Sequence, residues 1–567
     1  MHIFLLFSIY FTECVVIKIN RLKKYLFNAL LLSCVSLVMR TVSVSFNVYV
    51  SSKIGSEAMG LLTLTGGIYG FAITFATSGI NTAVVRLVSA SLPYDNCDFF
   101  DTRSNICVKR IMKNALFYCL IFSATASVVL FISAGNIGKY LLGDIRTVPS
   151  LKLMSFSLIP ISISSALNGY FCAVRRVYKN VIVQFCEQGA KIGVVSFLLL
   201  TIAPAGLEYA CIAVVAGGAL SEGVCVIVSA ILYFVDRKRH YRNKTKNVGY
   251  VTKKGYFFVE NIENLEINGS ETKIVPIALP IGVSAYVRSA LATIEHLCIP
   301  WGLKKYGLDS SASLSSYGTL HGMVIPILLF PSAILGAFSS LLVPELSSAM
   351  AQKDIVRIKS IVSRVFSLSL LFSVGVSGIF ICYSYEIGMF LYGNNEVGEF
   401  IRLLAPLIPL MYLDGSVDSM LKGLGEQVYS MRVNILDSLI SVILIVILLP
   451  NYGIYGYVAV IFITELINAS FSILRLINVT GIKTPIFRWV LVPLICVICA
   501  TVIARLIFSF VLVDNKLLTI IQIIVTAIIY LLVHTLFNLN QKRDRQKGLS
   551  IIFKSNEKIT INIPLSE

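Results

Sequence analysis

Three ionisable side chains lie deep inside long apolar stretches of this sequence, where charged residues are rare and usually functional. Arg40, Glu222 and Arg288 each lie about 21–22 Å from the start of their stretch, at about 1.5 Å of helical rise per residue. Guanidinium groups form paired hydrogen bonds with phosphate oxygens, so the two arginines predict an anionic ligand. The alternative is that each arginine pairs with an acid inside the membrane and only joins helices.

Three further polar residues are weaker candidates for the head group of such a ligand. Arg86 lies near the cytoplasmic end of its stretch, where an arginine is commonly a membrane anchor, and Asn81 lies just deeper. Lys191 follows Glu187 by four residues, a spacing that favours an ion pair within one helix. We therefore expect Arg40 and Arg288 to contact the ligand first, with Arg86, Lys191 and Asn81 behind them.

Five acids inside the apolar stretches are candidates for ion coupling or for pairing with the arginines. They are Glu222, Glu295, Asp414, Asp418 and Glu465. Asp414 and Asp418 share one helix face and could bind a proton or a sodium ion, or could pair with the arginines. Two histidines in the same region have no His or Cys three or four residues away, so we predict no metal site. We expect no cofactor beyond a coupling ion, either a proton or sodium, or the membrane potential.

The elements that must position these side chains are membrane-spanning helices. Of 567 residues, 56% are hydrophobic and 14% are charged, against roughly a quarter charged in soluble domains; the mean hydropathy is +0.82. A bilayer span needs about 20 mostly apolar residues, so the sequence predicts an all-α polytopic membrane protein. The fourteen predicted spans lie near 25–50, 61–90, 112–134, 150–172, 181–203, 207–235, 274–300, 314–345, 360–384, 399–422, 429–449, 453–478, 485–510 and 516–537.

The net charge of +18 is a topology signal and not a nucleic-acid footprint. Most Lys and Arg residues lie in every second joint between the spans. This distribution is typical of membrane proteins, whose cytoplasmic loops carry an excess of Lys and Arg. Both termini are therefore predicted to be cytoplasmic. Residues 1–17 are apolar but lack a basic start and a small-residue cleavage pattern, so an interfacial segment or an over-long gene start is preferred to a signal peptide.

The longest hydrophilic joint divides six spans from eight, and an even number of spans allows a parallel repeat. The motif L-N-G at Leu167–Gly169 recurs as L-K-G at Leu421–Gly423, and Ser221-Glu222 recurs as Thr464-Glu465. Pro and Gly in spans seven and eight predict kinked or broken helices, which suit opening to alternate sides. The predicted regions are an N-terminal segment 1–24, an N-lobe 25–235, a basic cytoplasmic linker 236–273, a C-lobe 274–478, two further spans in 479–540 and a cytoplasmic tail 541–567.

Four segments carry a family resemblance. They are YGFAITFATSGINTAVVRLVSA (69–90), ALPIGVSAYVRS (278–289), YGTLHGMVIPILLFPSAILGAFSSLLVPELSSA (317–349) and LPNYGIYGYVAVIFITELINASFSILRL (449–476). From about residue 25 to about residue 540, the chain resembles the stage V sporulation protein B family of the multidrug/oligosaccharidyl-lipid/polysaccharide flippase superfamily.

This resemblance implies two six-helix lobes around a central cavity, plus two C-terminal helices, in the bacterial plasma membrane. It also implies outward movement of undecaprenyl-pyrophosphate-linked sugars, with lipid II for spore cortex peptidoglycan as the expected cargo. Arg40 and Arg288 match the cationic residues expected to hold the pyrophosphate. Asn47 stands where a second basic residue is expected in span one, and Glu295 where Asp is usual, so a dense cationic cluster is not predicted.

The leading hypothesis is a flippase that works by alternating access on a lipid-linked oligosaccharide. A cation-coupled multidrug exporter of the same fold is the alternative. A membrane glycosyltransferase or ligase is disfavoured, because the short outer joints contain no paired carboxylates; we therefore expect no enzyme. A structural partner of a wall-building complex is the fourth hypothesis. The expected partners are the lipid-linked substrate, membrane lipids and cell-wall synthesis proteins, without nucleic acid.

Overall fold

The computed structural model describes residues 2–77, 79–91, 102–174, 176, 178–202, 204, 206–251, 274–482, 486–508 and 518–537. Every regular element in these residues is helical, which confirms the all-α class. The predicted tail 541–567 and most of the predicted linker 236–273 lie outside the described residues, although helix continues to Val251.

Seventeen α-helices form the described part of the chain. They are α1 His2–Thr77, α2 Ile80–Ala90, α3 Thr102–Asn136, α4 Val148–Ala173, α5 Tyr178–Thr201, α6 Leu207–Val251, α7 Val275–Tyr306, α8 Ser310–Tyr317, α9 Ile325–Leu329, α10 Ser332–Ala351, α11 Ile355–Cys382, α12 Ser384–Tyr392, α13 Asn395–Leu404, α14 Ile408–Gly423, α15 Gln427–Thr480, α16 Ile486–Phe508 and α17 Leu518–Phe537. A π-helix, Gly318–Val324, joins α8 to α9.

The predicted fourteen spans are approximately the number that these helices support. Eleven described stretches are long and apolar enough to cross a membrane, and two of them are 54 residues long. Each of these two contains a glycine with positive φ that ends one helical arm and starts the next: Gly55 (φ 79°) in α1 and Gly453 (φ 59°) in α15. These breaks raise the number of spans to thirteen. Helix α7, with 32 residues, is also long enough to cross a membrane, so fourteen is an approximate count.

Span eight is broken as predicted, but span seven is not. The regular helix is interrupted by a bend at Phe330 and a turn at Pro331, between α9 and α10, although Phe330 keeps helical φ and ψ. By contrast, α7 runs unbroken from Val275 despite Pro276 and Pro280. Both prolines lie in its first two turns, where a missing N–H removes few or no helical hydrogen bonds, so the helix is not broken there.

The described residues form two compact units, each with its own apolar core. The first comprises Met1–Ala337 and Met431–Thr464, and the second comprises Phe338–Ser430 and Glu465–Glu567. Apolar residues of α2, α3 and α4 pack together in the first unit, and those of α10, α11 and α14 do so in the second. The lobe boundaries named above stay a prediction.

A glycine in each L-x-G motif makes the same kind of helix contact in its own unit. A Cβ on Gly169 of α4 would lie 2.9 Å from the Asn81 carbonyl oxygen of α2. A Cβ on Gly423 of α14 would lie 3.0 Å from the Val343 carbonyl oxygen of α10. Span four therefore packs closely on span two, and span ten on span eight, which supports the internal repeat.

A charged cluster fixes the break in α1 within the first unit. Arg146 donates hydrogen bonds from Nη2 to Asp144 Oδ2 (2.7 Å) and to Glu57 Oε1 (2.9 Å). The Ser311 hydroxyl donates to Glu57 Oε2 (2.7 Å). The cluster thereby joins the residues after Gly55, the segment before α4 and the start of α8.

This cluster should weaken in acid. Burial raises the pKa of Asp144, but the hydrogen bonds and charge of Arg146 outweigh it and hold that pKa below its ordinary value of 3.8. A lowered pKa means that the carboxylate stabilises the fold above its ordinary pKa and loses that effect as pH falls through the folded value. Asp144→Asn should lower the unfolding temperature of the detergent-solubilised protein by roughly 1 °C near neutral pH. The difference from wild type should shrink as the pH falls below 3.8 and through the lowered pKa of Asp144; an equal difference at neutral and at acidic pH would contradict this role.

Candidate functional site

A polar groove lies between the first arm of α1 and α5, in the first unit. Its volume is about 290 Å³. Three residues of each helix line it at spacings of one, three or four residues, so each helix presents one face. The lining residues are Met39, Arg40, Ser43, Gln184, Glu187 and Gln188. Both faces lie within stretches long and apolar enough to cross a membrane.

The polar groups of this groove are largely unused by the protein. Arg40 is exposed and forms no hydrogen bond or ion pair with any other described residue. Among the described residues, the side chains of Gln184 and Gln188 likewise have no hydrogen-bond partner. Polar groups at membrane depth need a partner or a hydrated cavity. The groove therefore offers free donors and acceptors to a ligand.

Arg288 lies on α7, which packs along the second arm of α1. Thr293 donates a hydrogen bond to the Gly67 carbonyl (3.0 Å), and Thr74 donates to the hydroxyl of Ser289 (3.1 Å). Arg288 itself is exposed and has no ion-pair partner within the described ranges. Neither Arg40 nor Arg288 is therefore paired with an intramembrane acid among the residues that the structure describes.

Arg86 and Asn81 lie on α2, which starts after Gly79 in the left-handed conformation. The buried face of α2 includes Ile80 and Val84. Arg86 is on the exposed side and pairs with no acid in the described residues, whereas Asn81 is half-buried. Their roles as candidate ligand contacts stay predictions.

Lys191 does not form the ion pair with Glu187 that their spacing favours; no such pair is present in the described part of α5. The close packing of α5 on α6 instead brings both residues within electrostatic range of Glu222. Glu187 also interacts with Cys225, one turn further along α6. The three charges thus form a cluster across two helices, beside the polar groove.

The other candidate acids accept hydrogen bonds from neutral side chains. In the first unit, Glu295 Oε1 accepts from Ser441 (2.9 Å). In the second unit, Asp418 Oδ1 accepts from Ser430 (2.5 Å), and Asp414 Oδ2 accepts from Asn468 (3.3 Å).

Two buried oxygen atoms in this acidic region have no hydrogen-bond partner among the described residues. They are Oδ1 of Asp414 and Oδ1 of Asn468. Glu465 belongs to the same unit. The arrangement could hold a proton or a small hard cation, for which carboxylate and amide oxygens are suitable ligands.

The two intramembrane histidines bind tyrosines. His296 Nδ1 lies 2.8 Å from the Tyr317 hydroxyl, and His321 Nε2 lies 2.6 Å from the Tyr457 hydroxyl. Within the described residues, no group of three His, Cys, Asp or Glu side chains is arranged to hold a metal ion.

Sequence reasoning missed Gln184 and Gln188. Their signal was available, because Gln184, Glu187, Gln188 and Lys191 recur at helical spacing within an apolar stretch. The sequence could not show that this face of α5 lies opposite Arg40 of α1.

The fold is similar to that of solved membrane transporters. It matches the lipid II flippase MurJ in an inward closed conformation with a TM-score of 0.65 and 14% identity, over 90% of this chain and 99% of that chain. It also matches an inward-facing multidrug resistance MATE transporter of the MOP superfamily with a TM-score of 0.56 and 13% identity, over 79% of this chain and 99% of that one.

The sequence comparisons found one matching family and two related proteins. The model of the polysaccharide biosynthesis protein family matches residues 25–265. The chain is 26% identical over 439 residues to stage V sporulation protein B of Bacillus subtilis (strain 168), covering 76% of this chain and 79% of that protein. It is 20% identical over 388 residues to the uncharacterized membrane protein YabM of the same organism, covering 68% of each. The predicted resemblance to stage V sporulation protein B is thus confirmed. The eleven candidate membrane helices confirm a multi-pass membrane protein.

Proposed function

We propose that this protein moves a polyprenyl-pyrophosphate-linked saccharide across the bacterial plasma membrane by alternating access, with both termini in the cytoplasm. Lipid II for spore cortex peptidoglycan is the proposed cargo. The supporting similarities are to stage V sporulation protein B in sequence and to the lipid II flippase MurJ in fold. The observation that carries the proposal is the pair Arg40 and Arg288, two exposed guanidinium groups on membrane helices without an ionic partner in the described residues.

The chemistry of these residues suits a pyrophosphate. Each guanidinium offers five N–H donors in a planar fork, and phosphate oxygens accept such bonds in pairs. An intramembrane arginine without a paired acid keeps its positive charge available, so an anionic head group gains both charge neutralisation and hydrogen bonds. The polyprenyl tail needs no polar site and can stay in the lipid. Binding and release by this route make or break no covalent bond, so we infer a transporter and not an enzyme.

Replacing Arg40 or Arg288 with alanine should reduce the transfer of labelled lipid II by about ten- to a hundred-fold, since a hydrogen bond to a charged group contributes about 1.5–3 kcal/mol. The measurement is the rate at which vesicles containing the purified protein make labelled lipid II accessible on the opposite leaflet. Arg40→Lys and Arg288→Lys should retain part of the rate, because they keep the charge but lose the forked geometry.

The matched control is Arg110→Ala, which removes an exposed arginine of α3 and should leave transfer unchanged. Membrane insertion and the unfolding temperature should be the same in all variants. Wild-type rates in both Arg40→Ala and Arg288→Ala would refute the residue assignment. A folded wild-type protein that moves no polyprenyl-linked saccharide would refute the function.

A cation-coupled multidrug exporter is the second candidate. The unpartnered buried oxygens of Asp414 and Asn468 favour it, because they resemble an ion-coupling site, and the MATE transporter shares the fold. Transport measurements on the vesicles used for the lipid II assay distinguish the flippase from the exporter. Ethidium efflux that follows a proton or sodium gradient and disappears in Asp414→Asn, without lipid II transfer, would establish the exporter instead.

An ion gradient or the membrane potential is the proposed energy source for either function. Cell-wall synthesis proteins are the proposed suppliers and users of a lipid-linked cargo.

A further inference from the structure

The groove between α1 and α5 has a composition that a pyrophosphate site would not need. Beside Arg40 it contains one carboxylate, Glu187, and two carboxamides, Gln184 and Gln188. A carboxylate repels phosphate oxygens and accepts hydrogen bonds, whereas a carboxamide both donates and accepts. The formal charges of Arg40 and Glu187 cancel. The groove as a whole is therefore neutral and rich in hydrogen-bonding groups.

Such a surface matches a neutral polyhydroxyl group. Each sugar hydroxyl has one donor and two acceptor sites, and carboxylate and carboxamide groups can satisfy adjacent hydroxyls in pairs. The side chains of Gln184 and Gln188 have no hydrogen-bond partner in the described residues, so a ligand would not have to displace a protein contact. At about 290 Å³, the groove is at the lower limit of about 300–1,000 Å³ seen for small-molecule sites. It has room for a sugar-sized group.

We propose that this groove binds the saccharide next to the pyrophosphate, with Gln184, Gln188 and Glu187 as hydrogen-bonding partners of its hydroxyl and amide groups. This inference rests on the proposed function and assigns the part of the cargo that the groove recognises. Arg40 would lie where the pyrophosphate joins the sugar. A phosphate held by its guanidinium places the attached sugar within reach of the α5 face. The groove then distinguishes a glycosylated lipid carrier from the bare carrier.

The test compares two probes that differ only in the saccharide: lipid II and undecaprenyl diphosphate. Binding of each to the purified full-length protein is measured by titration. Gln184→Leu/Gln188→Leu removes both carboxamides with little change in side-chain volume. We expect this double variant to bind lipid II about ten-fold more weakly, as for the loss of one or two neutral hydrogen bonds, and to bind undecaprenyl diphosphate as wild type does. Gln522→Leu, which removes a glutamine of the membrane helix α17, is the matched control and should change neither affinity.

Three outcomes would overturn the inference: unchanged lipid II affinity in the double variant, equal weakening of both probes, or equal affinity of the wild type for both. Unchanged affinity for undecaprenyl diphosphate shows that the double variant is folded. A free soluble saccharide that competes with lipid II in wild type but not in the double variant would separate recognition of the sugar from recognition of a lipid. Because these are binding measurements, they stand even if the flipping assay fails, and selective binding without transfer would refute only the proposed function.

Discussion

Alanine at Gly60 or Gly318 should prevent most of the protein from reaching its folded state. The second arm of α1 and the start of the π-helix lie in near backbone contact in the first unit. A Cβ on Gly60 would overlap the carbonyl oxygen of Leu314, and a Cβ on Gly318 would overlap the backbone of Ser56 and Gly60. Neither neighbour is a flexible side chain, so the helices themselves must separate. Overpacking usually costs about 1–3 kcal/mol, and we expect at least the upper value here.

The measurements are the monodisperse yield in detergent and the unfolding temperature of any protein recovered. Gly66→Ala is the matched control, because Gly66 lies on the same arm and a Cβ there would meet no atom within 4 Å. That substitution should leave the unfolding temperature equal or slightly higher, since glycine costs about 0.5–1 kcal/mol relative to alanine inside a helix. A Gly60→Ala protein as stable as Gly66→Ala would show that α1 and α8 do not cross in this way.

The span count and helical class could be predicted because a bilayer imposes them on each segment separately. A membrane segment must be apolar for about 20 residues and must satisfy its own backbone, so residues 485–510 and 516–537 were placed within a few residues of α16 and α17. Gly55 and Gly453 were visible in the sequence, but whether a glycine breaks a helix depends on the contacts around it. The unbroken α7 shows the same limit for Pro280.

The candidate site was predictable only in part, because it depends on which helix faces meet. Depth within the membrane made Arg40 and Arg288 candidates, since this depth follows from position in a span. Spacing alone could not show that Lys191 lies near Glu222 on another helix, or that Gln184 and Gln188 face Arg40. These relations arise from packing between different helices, which the spacing of residues within one helix does not show.

Each unit also has an ion pair between residues distant in sequence. In the first unit, Lys179 at the start of α5 pairs with Asp236 on α6 (2.5 Å). In the second, Glu426 before α15 pairs with Arg475 on its second arm (2.9 Å). Spacing within one helix could not have predicted either pair.

Removing Asp236 should be the most destabilising change among the charged residues. Its carboxylate is 1% exposed, pairs with both Arg176 and Lys179, and accepts a hydrogen bond from the Tyr170 hydroxyl (3.3 Å). Lys179 is only 7% exposed, so Asp236→Ala leaves a buried ammonium without its counter-charge. Breaking a buried pair in this way costs about 3–5 kcal/mol. We expect a large fall in unfolding temperature and in folded yield.

The double variant Asp236→Leu/Lys179→Met separates the charge effect from the packing effect. Replacing a buried pair by apolar residues is often neutral, so the double variant should recover much of the stability that Asp236→Leu alone loses, a coupling that a double-mutant cycle measures. Glu345→Ala is the matched control, because its pair with Arg357 is 3.5 Å long and nearly half exposed; it should change stability by less than about 1 kcal/mol. If Asp236→Leu and Glu345→Ala cost the same, the Asp236 pair is not buried in the folded protein and does not join α5 to α6.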